Sequence, residues 1–188
     1  MNVYDFDNTL LRGDSSVLYF LYNLKRHPRM WAELPVYGAY ALGYKLGIIS
    51  KKQMKQKLFS HFRFIRNPQA NLAAFWEKTL PRLKGFYPPI AKADDVVISA
   101  SPEFLIRPAC VHLGIRHIMG SPVDSKTGVY AGENCHGAQK VKRFYERFPE
   151  GHIDEFYSDS HSDDPLAALA EKAFLVKKER LEKWQKQS

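Results

Sequence analysis

Apolar and polar positions follow two different rhythms along the chain. Residues 1–4 form a short apolar run that meets acid at Asp5, the pattern of a strand ending in a polar turn. From Ser15 to about Lys84 the apolar spacing is helical. Asp14, Ser15 or Ser16 can cap a first helix running toward His27, and Pro28 opens a second. Ser50 caps a third over 51–64, and Asn67-Pro68 opens a fourth that ends near Pro81. Gly85 to Pro89 is a breaker cluster, and beyond it short apolar runs alternate with helical segments. Strands are expected at 96–99, 115–119, 156–158 and 174–176. Helices are expected at 102–113, about 138–148 and from Pro165, with a turn-rich hairpin around 126–134. Strands alternating with helices imply a parallel sheet with right-handed crossovers, so the expected class is α/β.

Composition bounds the size of the object. With 188 residues, 45% hydrophobic and 26% charged, the chain can bury one native-sized core. Disordered and fibrous architectures are excluded, and the length accommodates one domain with an insert but not two full domains. Cys110 and Cys135 are the two cysteines, with no CxxC pair and no histidine at zinc-finger spacing, so neither a disulfide framework nor a structural zinc site is expected. A reducing cytoplasm fits, and no basic, then apolar leader opens the chain.

Charge changes the picture more. The net charge is +8, but residues 15–85 hold thirteen bases and only two acids, Glu33 and Glu77, a balance of +11. The remainder carries −3. The helical segment therefore attracts anions, whether phosphates, nucleic acid or an anionic membrane.

In open α/β sheets ligands bind beyond the carboxyl ends of strands, so the residues just past each strand carry the candidate chemistry. Asp5 and Asp7 lie two apart in extended chain and converge, while Phe6 turns to the core. Two such carboxylates repel unless a cation lies between them, and an all-oxygen site favours Mg²⁺ over zinc or copper. The second strand ends in Ser99-Ala100-Ser101-Pro102. Ser101 before Pro102 is a helix start able to hold an anion, or simply a cap. Lys140 sits in the opening turns of a helix after Gly137, where most lysines are solvated. Asp163 or Asp164 can cap the helix at Pro165; Asp159 has no such structural task, and His161 reads as a loop residue.

The joint order of these residues resembles the haloacid dehalogenase-like (HAD) phosphohydrolase superfamily. Asp5-Phe6-Asp7-Asn8-Thr9 is similar to its first motif, Ser99 to its second, Lys140 to its third, and Asp159 with Asp163 to its fourth. The resemblance implies a Rossmann-like catalytic core, 1–14 and 86–188, with 15–85 as a basic, all-helical cap of the phosphoserine phosphatase-like branch. The stretches around Ser99 and Asp159 look like a subgroup that includes phosphatidylglycerophosphatase C. The same resemblance implies a Mg²⁺-dependent phosphomonoester hydrolase working through an aspartyl-phosphate. Asp5 would be the nucleophile, ionised without help at its reference pKa, and Asp7 the proton donor and acceptor. Thr9, Ser99, the Ala100 amide and Lys140 would hold phosphate. Asp5, the Asp7 carbonyl and Asp159 would hold the metal, with Asp163 supporting its water. Asp14 falls where phosphoserine phosphatases carry a glutamate that sets specificity, and it also fits a cap.

The cap should select the substrate. Residues 34–49 are nearly all apolar or aromatic and as a helix would reach about 24 Å, too short for an ordinary span. Tyr37, Tyr40 and Tyr44 form a stripe, and Gly43 with Gly47 gives a small-residue face, so the segment reads first as a buried helix. The flanking bases keep a membrane-contacting alternative open. The substrate is accordingly a phosphorylated small molecule or lipid head group, with peripheral contact to an anionic membrane or, alternatively, a soluble phosphoserine-like ester. A nucleic-acid module is the competing class, with Phe59, Phe62, Phe64 and Trp76 among the bases. Four carboxyl and ammonium groups set for phosphate chemistry argue against it.

Overall fold

The computed structural model describes residues 1–185. Six strands form one sheet in the order β3-β2-β1-β4-β5-β6, where β1 is Asn2–Tyr4, β2 Val96–Pro102, β3 His117–Ser121, β4 Ile153–Ser158, β5 Ala170–Lys177 and β6 Arg180–Lys183. All pairings are parallel except β5 with β6. The sheet is thus the Rossmann-like α/β arrangement, and its central strand is the three-residue β1.

Strand alternation builds two cores. Tyr4, Val97 and Tyr157 face one cluster; Val3, Val96, Ile98 and Phe156 face the other. Helices α6 (Ala138–Arg147) and α7 (Asp164–Ala167) close the second cluster with Phe144, Leu166 and Ala167. On the first face, α5 (Glu103–His112) packs together with α1 (Ser15–Leu24), α3 (Lys51–Phe59) and α4 (Pro68–Thr79) of the helical segment, in a cluster to which α2 (Leu34–Lys45) contributes no residue. Tyr19, Phe59, Phe62, Phe75 and Trp76 of this segment belong to the same cluster as Phe6, Leu105 and Ile106, and Trp76 Nε1 donates to Leu105 O at 2.7 Å. The insert has no separate core; it is joined to the sheet by a shared one.

Several expectations shift. The third helix ends at Phe59 and tightens into a 3₁₀ turn, Ser60–Phe64, and the residues after Pro28 form a 3₁₀ turn, Pro28–Glu33, before α2. The hairpin around 126–134 is short and turns earlier, at 124–128: a single Val123–Tyr130 bridge is flanked by Asp124 N donating to Val129 O (2.9 Å) and Ala131 N to Pro122 O (2.8 Å). Two further backbone groups of this turn bond to α3: Gln56 Nε2 donates to Gly128 O (2.7 Å) and Tyr130 N donates to Gln56 Oε1 (3.2 Å). Gly128, at φ +75°, permits that approach: a Cβ there would stand 2.1 Å from the Phe59 carbonyl oxygen. A longer hairpin, β5–β6, turns through Lys178 at φ +57°.

The largest correction concerns 34–49. No residue of α2 is buried, and Leu42, Leu46 and Ile48 are 57%, 63% and 75% exposed. The helix is apolar on every side but packs on one, through Tyr37 against Phe20 (ring centroids 4.9 Å), and no outer layer covers the rest. The small-residue face packs nothing: a Cβ at Gly47 would meet no atom, and one at Gly43 only Ile49 of its own C-terminal turn.

Candidate functional site

β1, β2 and β4 end side by side, and the loops beyond them enclose a cavity of about 190 Å³. Asp5 leaves β1 with its amide donating to Tyr157 O (2.8 Å) of β4. Asn8 then reverses the chain at φ +55°, a left-handed conformation asparagine tolerates, and its carbonyl accepts from the buried ammonium of Lys84. This tight turn holds Asp5 and Asp7 at one mouth. The register of β2 breaks between Ile98 and Pro102, re-aiming the Ser99 to Ser101 segment toward them.

Lys140, 2% exposed, joins the first and fourth loops. Its Nζ donates to Asp5 Oδ1 and to Asp163 Oδ2, each at 2.7 Å, and Ser158 Oγ donates to the same Asp163 oxygen at 2.8 Å. Burial opposes the lysine's charge, but the two carboxylates outweigh it and raise its pKa. Burial likewise pushes the Asp5 carboxyl up to about 7, against the pull of Lys140. Lys140 favours the charged form of Asp5 against that burial, and a further cation would favour it more. Asp7 is pushed up to about 6, by burial first and then by the charge of Asp14. The hydroxyl of Ser101 and the amide of Ser15, the latter at 2.7 Å, pull it back by donating to its two oxygens.

Asp14 caps α1, accepting from Val17 N at 3.0 Å, and also lines the cavity. Ser99 and Ala100 line it as well; Ser99 Oγ accepts from Ser101 N at 3.1 Å. Asp159 and Asp163 complete the wall, and burial raises the pKa of Asp159. Thr9 is placed differently from the expectation. It is fully buried behind the carboxylates, accepting from Asp159 N at 3.0 Å with its hydroxyl 3.5 Å from Asp5 Oδ2, so it positions two acids and does not line the cavity. His161 opens a 3₁₀ turn, His161–Asp163, and its Nδ1 lies 3.1 Å from Asp164 Oδ1.

Three groups that line the cavity, Lys51, Lys55 and His136, are not singled out by the sequence pattern, and Ser101, read there as a helix start, has a different task. Ser101 is not a cap: α5 has no side-chain cap, and the Ser101 hydroxyl instead serves Asp7 and contacts the hydroxyls of Ser15 (3.1 Å) and Ser16 (3.0 Å). Lys51 and Lys55, four apart on one face of α3, reach into the cavity; Lys55 is buried, with Nζ donating to Ala100 O at 3.3 Å. Lys51 Nζ lies 2.8 Å from Nε2 of His136, and burial lowers both pKa values. The i, i+4 spacing of the two lysines after Ser50 was a legible signal. Nothing local in the sequence marked His136.

Five carboxylates and three ammonium groups line this cavity. That excess, the all-oxygen donor set and a buried Asp163 Oδ1 without a hydrogen-bond partner fit a divalent cation. Among the described residues no three Asp, Glu, His or Cys side chains are grouped to hold a metal by themselves. A cation here would need peptide oxygen and water beside two carboxylates, which is how Mg²⁺ is commonly held.

Comparison with known proteins agrees with this architecture. Solved structures share it at low identity. A protein of unknown function from Bordetella pertussis Tohama I superposes with a TM-score of 0.74 at 19% identity, covering 93% of this chain and 88% of that one. A phosphoserine phosphohydrolase-like protein from Francisella tularensis gives 0.61 at 20%, covering 93% and 87%. A phospho-aspartyl intermediate analogue of phosphoserine phosphatase gives 0.55 at 14%, covering 92% and 84%. No curated protein matches by sequence. The model of haloacid dehalogenase-like hydrolases matches residues 3–168, spanning β1 through α7 and every residue that lines the cavity, and the chain belongs to that family.

Proposed function

We propose that the protein hydrolyses phosphate monoesters with Mg²⁺, through a phosphorylated Asp5. The observation that carries this is the Lys140 bridge between Asp5 and Asp163, set beside an Asp7 held by two donors. Asp5 attacks phosphorus and the bond to the leaving oxygen breaks, while Asp7 in its acid form gives that oxygen a proton. Asp7, now a carboxylate, takes a proton from water; the hydroxide attacks phosphorus, the Asp5–phosphate bond breaks, and phosphate leaves. Ser99, the Ala100 amide and Lys140 hold the non-bridging oxygens. Asp5, the Asp7 carbonyl and Asp159 would hold Mg²⁺, with Asp163 supporting its water, and the ion would supply positive charge against the phosphate. The helical segment 15–85 acts as the cap, and Lys51, Lys55 and His136 add positive and hydrogen-bonding groups on the side of the substrate.

For the substrate, the exposed apolar α2 within a strongly basic segment favours a phosphate carried at or near an anionic membrane over a soluble ester such as phosphoserine. Among the described residues no helix is long and apolar enough to cross a membrane, so contact would be interfacial. Of the four aromatics in the nucleic-acid alternative, Phe59, Phe62 and Trp76 are buried, which leaves only the half-buried Phe64 for stacking. Turnover of p-nitrophenyl phosphate should require Mg²⁺ and fall at least about a thousandfold in Asp5→Asn. Near wild-type turnover by a folded Asp5→Asn variant would overturn the covalent route. A strong kcat/KM preference for phosphoserine over a lipid phosphate in anionic micelles would reverse the choice of substrate.

A further inference from the structure

An apolar groove of about 390 Å³ lies on the helical segment between α1, α2 and α3. Val17, Phe20 and Leu21 line it from α1, at the spacing of one helix face, and Leu34, Tyr37 and Ala41 line it from α2 in the same way. Phe20 is buried and meets Tyr37 edge-on, whereas Val17, Leu21 and Leu34 are exposed and open to an entering molecule. Lys57 brings the one charge among the described residues that line the groove, and its ammonium already donates to Glu33 at 3.0 Å. Gly38 lines it too, and a Cβ there would meet no atom within 4 Å, so the space beside α2 is unfilled. Walls of this kind favour hydrocarbon over an ion or a polar head group.

The position of the groove says whose hydrocarbon it is. Asp14 lines the catalytic cavity, and its carboxylate accepts from the amide of Val17, which lines the groove. On α3, Lys51 and Lys55 line the cavity, while Met54 and Leu58, three residues further on from each, line the groove. Three residues of helix advance about 4.5 Å, so on both helices the apolar wall starts within one turn of the phosphate cavity. A short polar linker can span that distance. This adjacency selects a chain carried by the substrate over a separate protein partner.

We propose that the groove between α1, α2 and α3 binds the hydrocarbon chain of the phosphate ester whose phosphate enters the catalytic cavity. The proposal rests on the phosphatase reading and deepens it: the chain is held by the protein itself, next to the site, whether the ester comes from solution or from a bilayer. Chain length is then a determinant of specificity.

The probes are butyl and octyl phosphonate, whose carbon–phosphorus bond a phosphatase does not hydrolyse, titrated calorimetrically into the full chain with Mg²⁺ below the concentration at which they form micelles. A methylene fully removed from water strengthens binding about fourfold, so partial burial of four should lower Kd at least tenfold from butyl to octyl. That gain should shrink below threefold in Val17→Ser/Leu21→Ser, which thins the apolar wall, and in Gly38→Phe, which fills the groove. These positions are exposed, so melting temperatures should match wild type, and turnover of p-nitrophenyl phosphate should change less than twofold. A Kd independent of chain length overturns the proposal. So does a gain that survives both variants, and one lost instead in Leu42→Ser/Ile48→Ser would place the chain on the outer side of α2. Failure of wild-type protein to turn over p-nitrophenyl phosphate would count against the phosphatase reading alone, because the phosphonate titration reads binding without turnover.

Discussion

Ser101 and Asp7 show how much a single hydroxyl can decide. Asp7 is buried beside Asp14, and both circumstances raise its pKa; the Ser101 hydroxyl and the Ser15 amide counter that and fix the carboxyl in place. A hydrogen bond to a charged group is worth roughly 1.5–3 kcal/mol, or about ten- to a hundredfold in rate if it is used in the transition state. Ser101→Ala should therefore lower kcat on p-nitrophenyl phosphate by about that factor while KM stays within about twofold, as read from steady-state kinetics of the folded variant. An unchanged kcat would reduce Ser101 to a packing role. The acids themselves were legible in the sequence because Asp5, Asp7, Asp159 and Asp163 come just after strands. The task of Ser101, named in the sequence only as a helix start, and that of His136 were not legible because they are set by neighbours distant in the chain; Ser101 and Asp7 are 94 positions apart.

The insert's helices divide by what covers them. α4 and α1 send Phe75, Trp76 and Tyr19 into the shared core, whereas α2 sends apolar side chains outward with nothing above them. Apolar periodicity locates a helix but does not say which side is covered, so 34–49 could not be assigned to core or surface beforehand. Exposed Leu42 and Ile48 are the most direct test of membrane contact. Burying a large aliphatic side chain contributes roughly 1.5–3 kcal/mol, so Leu42→Ser/Ile48→Ser should weaken co-sedimentation with anionic vesicles by about a hundredfold or more and leave the melting temperature unchanged. Raised salt should weaken wild-type attachment as well, because the bases around α2 are screened. Vesicle binding equal to wild type in the double variant would remove α2 from the interface.

At the scale of the molecule, the joint core has a pH signature. His61 is fully buried among Tyr19, Phe20 and Phe62, with Nδ1 2.6 Å from Leu58 O and Nε2 unpartnered. Burial pushes its pKa down from 6.5 to about 4. Between those values the unfolded chain holds a proton that the native protein does not, so stability is present above about pH 6.5 and is lost as pH falls toward 4. The shift corresponds to at most about 3 kcal/mol. Asp5 and Asp7, raised in the native state, act with opposite sign over part of the same window. The measurement is therefore a difference: urea unfolding at pH 7, 5 and 4 should show a smaller acid-dependent loss in His61→Phe than in wild type. Identical slopes would mean that the core admits the imidazolium.

The sequence by itself determined the α/β class, the place of the helical insert and the acids of the site, because period, breakers and strand-end position are local properties of the chain. Only the tertiary structure decided that the insert shares its core with the sheet, that Thr9 stands behind the acids and not in the cavity, and that α2 is uncovered. Each of these depends on which surfaces meet. The same holds for the carboxyl groups: their identity is written in the chain, but their protonation depends on burial and on Lys140, whose ammonium comes from 135 residues beyond Asp5 to rest against it.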